Sequence, residues 1–140
     1  MAGDDFEKLG DTDKPLYGPR GILVCGCSAS GQEGMLRVFA RQGLGDLPVI
    51  FAHEELADKT VQELLLLPDR TGAGKSSGLV RAVIVSGITE RELSTIMAAF
   101  RSGGMPKQIW ATLTPVSENW RMRRLLCELT AEDDAVDEKS

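Results

Sequence analysis

Three stretches of the chain carry residue types at spacings that could do chemistry. Cys25 and Cys27 flank Gly26. Thiolates there could bind a soft metal or take part in redox exchange, with Cys127 as a third sulfur. A structural zinc site generally needs four ligands, however, and the only histidine, His53, stands far along the chain. A free cysteine is also often just a small buried hydrophobe. The second stretch, Thr71-Gly72-Ala73-Gly74-Lys75-Ser76-Ser77, shares Gly-Lys-Ser with the end of a phosphate-binding loop. That motif needs a glycine where Asp69 stands, with a strand before the loop and a helix after it. Here a predicted helix precedes and a predicted strand follows, so the order is reversed.

The third stretch is a pair of loops, Gly26–Ser30 and Ser86–Thr89. Both are small and hydroxyl-bearing, and both lead into a helix. In α/β sheets, ligands bind beyond the carboxyl ends of strands, where free N–H groups and the helix dipole favour anions. Gly26, Cys27, Ser28, Ser30, Ser86, Gly87 and Thr89 are therefore the candidate contacts for a small anionic ligand, although simple helix capping accounts for the same residues. Arg121, Arg123 and Arg124 beside Trp120 could contact nucleic acid or protein. Three basic residues on a turn and a half are more often a solvated helix face. One histidine, with no acid pair and no Ser–His–Asp set, leaves little for catalysis. The residues point to no catalytic group, no metal and no cofactor.

The elements that must position these residues follow from apolar patterning and punctuation. Ile22–Cys25 and Pro48–Phe51 read as buried strands, Leu79–Val85 as a third and Gln108–Leu113 as a fourth with one polar face. Ser30 with Glu33 and Thr89 with Glu92 fit capping boxes, so helices should begin at both. Gly43 and the Gly103-Gly104 pair are their stops. Asp58 is the expected cap of a helix reaching about Leu67 and ended by Pro68. Ser117 is the expected cap of a last helix running to about Thr130.

The two halves match at a constant offset of 61 residues. Val24, Gly26, Phe39 and Gly43 recur as Val85, Gly87, Phe100 and Gly104, and Ser28 recurs as Thr89. Met35 and Leu36 become Ile96 and Met97, while Val61, Leu64 and Leu65 become Met122, Leu125 and Leu126. Duplication of a βαβα unit accounts for a register that holds through two helices without a gap. The expected fold is α/β, two βαβα repeats (about 21–67 and 80–130) in a ferredoxin-like interleaved four-stranded sheet with extra helices. A doubly wound parallel sheet is the alternative.

Within the second repeat, Val85-Ser86-Gly87, Glu92-Leu93, Phe100-Arg101, Gly103, Pro106, Ala111, Leu113-Thr114-Pro115, Trp120, Leu125 and Glu128-Leu129 form a recognisable series. Over residues 80–130 the chain resembles the bacterial domain-of-unknown-function family 3783. The family usually has Thr-Asn after the proline, where this chain has Val116-Ser117. Ser117 can supply the cap that asparagine would. The resemblance implies the fold and no chemistry.

A chain of 140 residues is long enough for one domain with a proper core. The net charge of −5 belongs to the ends. Residues 1–19, expected to be a flexible acidic arm, carry −3, and the acidic tail 131–140 carries −4, whereas residues 20–130 hold 13 basic and 11 acidic side chains. So neutral a centre argues for neither nucleic acid nor membrane as a partner. No run is long and apolar enough to span a bilayer and the N-terminus lacks a signal core, so the expected compartment is the cytoplasm. The function these features favour is a non-enzymatic module binding a small anionic ligand or a protein partner, expected as a homodimer through a sheet edge or helix face. A thiol-based redox or metal-binding protein using Cys25 and Cys27 is the rival.

Overall fold

The computed structural model describes residues 13–139. Residues 1–12 of the expected arm and Ser140 lie outside them. The elements run β1 (Gly21–Cys25), α1 (Ala29–Arg41), β2 (Val49–Ala52), α2 (Val61–Leu65), β3 (Ala82–Ser86), α3 (Glu90–Ser102), β4 (Ile109–Thr112) and α4 (Met122–Lys139). Short 3-10 turns at Glu54–Leu56 and Ser117–Asn119 precede α2 and α4.

The strands form one mixed sheet of order β2-β1-β3-β4. β1 is parallel to β2 and β3 to β4, while β1 and β3 pair antiparallel at the centre. This corrects both expected topologies. The two strands of each half lie side by side, so the halves do not interleave as in a ferredoxin-like sheet. The central antiparallel pair rules out an all-parallel, doubly wound sheet. The reason lies in the sheet's two faces. α2 and α4 need apolar surface of their own and take the face opposite α1 and α3, so all four strands are sandwiched.

Alternation along the strands builds the two layers. Ile22, Val24, Val49, Phe51, Val83 and Val85 meet Met35 and Phe39 of α1 and Ile96 and Phe100 of α3. Leu23, Cys25, Ile50, Ala52, Ala82 and Ile84 meet Val61, Leu64 and Leu65 of α2 and Met122, Leu125 and Leu126 of α4. Burial on both faces is why the inner strands read as continuous apolar runs.

The offset of 61 recurs in the contacts. Leu23 pairs with Ile84 and Thr60 with Arg121, and the Phe39 and Phe100 rings lie 5.8 Å apart. Val61 N–H donates to Trp120 O at 2.9 Å and Met122 N–H to Lys59 O at 2.9 Å. Each of these joins a residue, or exchanges a bond, with the position 61 further on. An approximate twofold axis therefore passes through the centre of the sheet and between the helix pairs.

Several boundaries differ from the expected ones. Ser28, not Ser30, caps α1, its hydroxyl accepting from Gly31 N–H at 3.1 Å. Thr60, not Asp58, caps α2 through a capping box with Glu63. Ser117 opens a 3-10 turn, and its hydroxyl accepts from Thr114 N–H. Thr89 and Glu92 form the expected capping box on α3. α4 continues past Thr130 to Lys139.

Residues 15–19, assigned by composition to the arm, are bound to the domain. Pro15 bridges Thr89, Leu16 N–H donates to Ile88 O, and Gly87 N–H donates to Tyr17 O. Few apolar side chains are needed there, because the segment is held by backbone hydrogen bonds.

Gly26 and Gly87 end the two central strands with φ of +73° and +65°. A Cβ on Gly26 would stand 2.7 Å from Arg81 N, and one on Gly87 2.6 Å from Arg20 N. Gly26→Ala and Gly87→Ala should therefore each lower stability by more than about 1 kcal/mol in denaturant melts. Gly43, with φ +77° but open space around it, should lose distinctly less on the same change.

Candidate functional site

The two candidate loops occupy equivalent positions, each roofed by a segment that precedes a central strand. Gly26 N–H donates to Ser77 Oγ at 3.3 Å and Ala29 N–H to Ser76 Oγ at 3.1 Å. Ser77 N–H reaches Cys27 O. Gln32, only 3% exposed, clamps the roof by donating from Nε2 to Lys75 O and accepting from Gly74 N–H. The Gly-Lys-Ser stretch is thus a lid fixed over the end of β1, with α2 before it and β3 after it. Over the second loop, residues 15–20 serve the same purpose.

A carboxylate already fills the second loop. Arg20 grips Glu92 with both Nη atoms, at 2.8 and 2.7 Å, while Thr89 N–H donates to the same carboxylate at 2.8 Å. The Arg20 hydrogen bonds, opposed in part by burial, hold Glu92 down to about 2. Ser86 is fully buried and its hydroxyl has no partner among the described residues. It faces the backbone at Gly18 rather than any opening. The N–H groups expected to receive an anion at this loop are therefore used within the chain.

At the first loop Ser28 and Ser30 are exposed, with their hydroxyls 3.3 Å apart. Cys27 is 2% exposed and packs among α1 and α3, its sulfur 4.0 Å from Met35 Sδ. Cys25 points into the opposite layer, its sulfur 3.9 Å from Met122 Sδ. The left-handed turn at Gly26 separates the two thiols onto opposite faces of the sheet. Burial pushes Cys25 up to about 12 and raises Cys27 as well, the latter partly offset by Arg81. No chelating or exchanging pair exists at these positions. Among the described residues, no cluster of three His, Cys, Asp or Glu could hold a metal.

Arg81 was not among the candidates read from the sequence, nor were Arg20, Glu92 or Gln32, and Ser76 was named only within the Gly-Lys-Ser stretch. The offset could have found part of this set, since it aligns Arg20 with Arg81. Arg81 Nη1 donates to Gly26 O at 3.3 Å, and its Nε is buried without an acceptor among the described residues. The helical arginines do ordinary surface work, Arg123 pairing with Asp58 and Arg124 lying 4.3 Å over the Trp120 ring.

Two outcomes follow. The folded-state value for Glu92 lies below its ordinary one, so its contribution is complete above about pH 4.5 and fades as pH falls toward 2. Glu92→Gln should melt below the parent protein at pH 7 by about 1–2 kcal/mol, allowing for the exposure of Arg20, and the gap should close on acidification. In a thiol titration of the native protein, exposed Cys127 should react at once, and Cys25 and Cys27 only as the protein opens.

No curated protein and no solved structure matches this chain. Residues 81–136, which run from the start of β3 into α4, match the family model described as a domain of unknown function, DUF3783, and so bear out the resemblance read from the second half of the sequence.

Proposed function

We propose that this chain is a non-enzymatic association module of the cytoplasm, built by duplication of one βαβα unit and dimerising through the outer edge of β4. The observation that carries the reading is a difference between the two sheet edges. On β2, the outward Val49 N–H donates to Asp69 Oδ1 at 2.9 Å and Phe51 N–H to Thr71 O at 2.9 Å, while Val49 O accepts from Arg70 N–H. That edge is closed by residues 69–71. Register with the central strands makes Trp110 and Thr112 of β4 the counterparts of Val49 and Phe51. Ile109 and Leu113 donate inward to β3, so Trp110 and Thr112 present their N–H groups outward. Among the described residues these meet no acceptor.

An open edge is a template for a further strand. Nothing inside Ile109–Thr112 blunts it: the segment has no charge and no proline. Its apolar side chains are also incompletely covered. Ile109, Trp110 and Ala111 are half-buried, and Trp110 leans edge-on against Phe100 at 5.3 Å. A second copy fits by charge. Antiparallel pairing would bring Arg101 and Lys107, before the strand, toward the partner end that carries Glu118. No helix among the described residues is long and apolar enough to cross a membrane.

The test is sedimentation of the purified chain beside a Thr112→Pro variant. Thr112 is exposed, and its N–H faces away from the sheet, so proline should remove the ladder without unfolding the edge strand. The expected result is a dimer for the parent chain and a monomer of unchanged circular dichroism for the variant. A monomeric parent chain, or a variant that still dimerises, would sink the proposal.

A further inference from the structure

The two halves set the same backbone frame around each loop but fill it differently. Around Gly87 the close backbone neighbours are Gly18 O and Arg20 N; around Gly26 they are Leu79 O and Arg81 N, each 61 positions on. Arg20 and Arg81 therefore enter their loops from matching positions. Likewise Leu16 N–H reaches Ile88 O where Ser77 N–H reaches Cys27 O. In the second half, the Glu92 carboxylate bridges the Arg20 guanidinium and Thr89 N–H. The counterpart of Thr89 is Ser28, and the counterpart of Glu92 is Gly31, which has no side chain.

Arg81 is thus an arginine whose carboxylate is missing. Among the described residues it forms no ion pair. Among the described residues its one side-chain hydrogen bond runs from Nη1 to Gly26 O, and its buried Nε has no acceptor. A buried guanidinium N–H left unmatched is costly, and two parallel bonds to a carboxylate are its best complement. Ser28 N–H, the counterpart of the Thr89 donor, likewise meets no acceptor among the described residues, and Ser28 and Ser30 open the position to solvent. We infer that Arg81 and Ser28, beside the position where Gly31 lacks the side chain of its counterpart Glu92, form a receptor for a small free carboxylate, seated as the Glu92 carboxylate is seated in the other half. This site is independent of the β4 edge.

The experiment is amide and arginine Nε NMR of the full chain titrated with sodium acetate and with sodium succinate, against sodium chloride at matched ionic strength. Saturable shifts at Ser28 N–H and Arg81 Nε–H with the carboxylates alone are expected, while Thr89 and Arg20 stay still. Arg81→Gln should weaken the response at Ser28 at least tenfold. Gly31→Glu should abolish it by supplying the carboxylate from within. Its new Cβ lies 3.0 Å from Cys27 Sγ and 3.1 Å from Ser28 Oγ, a fit needing shifts of a few tenths of an ångström. No saturable shift, equal shifts with chloride, or a response surviving Arg81→Gln would overturn the inference. Arg81→Gln decides the matter even where Gly31→Glu folds poorly.

Discussion

The antiparallel pairing of β1 with β3 is the interaction on which the rest of the molecule depends. Its register, Leu23 opposite Ile84, places each half's parallel pair on opposite sides of one axis. With that register set, Phe39 must meet Phe100 above the sheet, and the Lys59–Val61 and Trp120–Met122 segments must exchange hydrogen bonds below it. A one-residue slip would turn every inward side chain of one half to the wrong layer, so the ladder and both cores specify one another. The left-handed glycines at 26 and 87 belong to the same constraint. They let the chain leave the strand directly against the backbone that enters the neighbouring strand.

A near-symmetric frame makes the departures from symmetry informative. Core positions repeat because each layer is built from equivalent residues of both halves, Phe39 with Phe100 in one and Val61 with Met122 in the other. The departures fall at two places. One sheet edge is closed by residues 69–71 and the other is left open. One loop is neutralised by a carboxylate within the chain and the other presents an arginine without one. Both differences lie outside the two core clusters. Candidate activity therefore sits where the halves diverge, at β4 and at Arg81, rather than at the paired loops as such.

The thiols illustrate how local spacing can mislead. Two cysteines separated by one glycine look like a chelating pair when the chain is imagined as a continuing strand. Gly26 takes a positive φ, so the strand ends between them and their sulfurs enter different layers. Their burial then favours the neutral thiol, which suits packing beside methionine sulfur and not nucleophilic chemistry.

Beside the resemblance of the second half to DUF3783, local patterning and the offset were enough to read four strands, the helices, the Thr89–Glu92 capping box and the core residues Phe39 and Phe100. Those properties are set within short windows, by alternation, capping chemistry and glycine placement. Strand order, the far-face position of α2 and α4, and the attachment of residues 15–20 were not legible. The candidate loops could be named, but the bracing of the first by Ser76 and Ser77 and the filling of the second by Glu92 could not, nor could the isolation of Arg81. The aligned pair Arg20 and Arg81 was visible as a pair of letters only. Which one has a partner depends on groups brought together across 55 and 72 residues of chain, and only long-range packing fixes such distances. The sequence by itself thus determined what each segment would be, because secondary structure follows local physics. The tertiary structure alone decided which edge stays open and which arginine goes unmatched, because both are properties of neighbours distant along the chain.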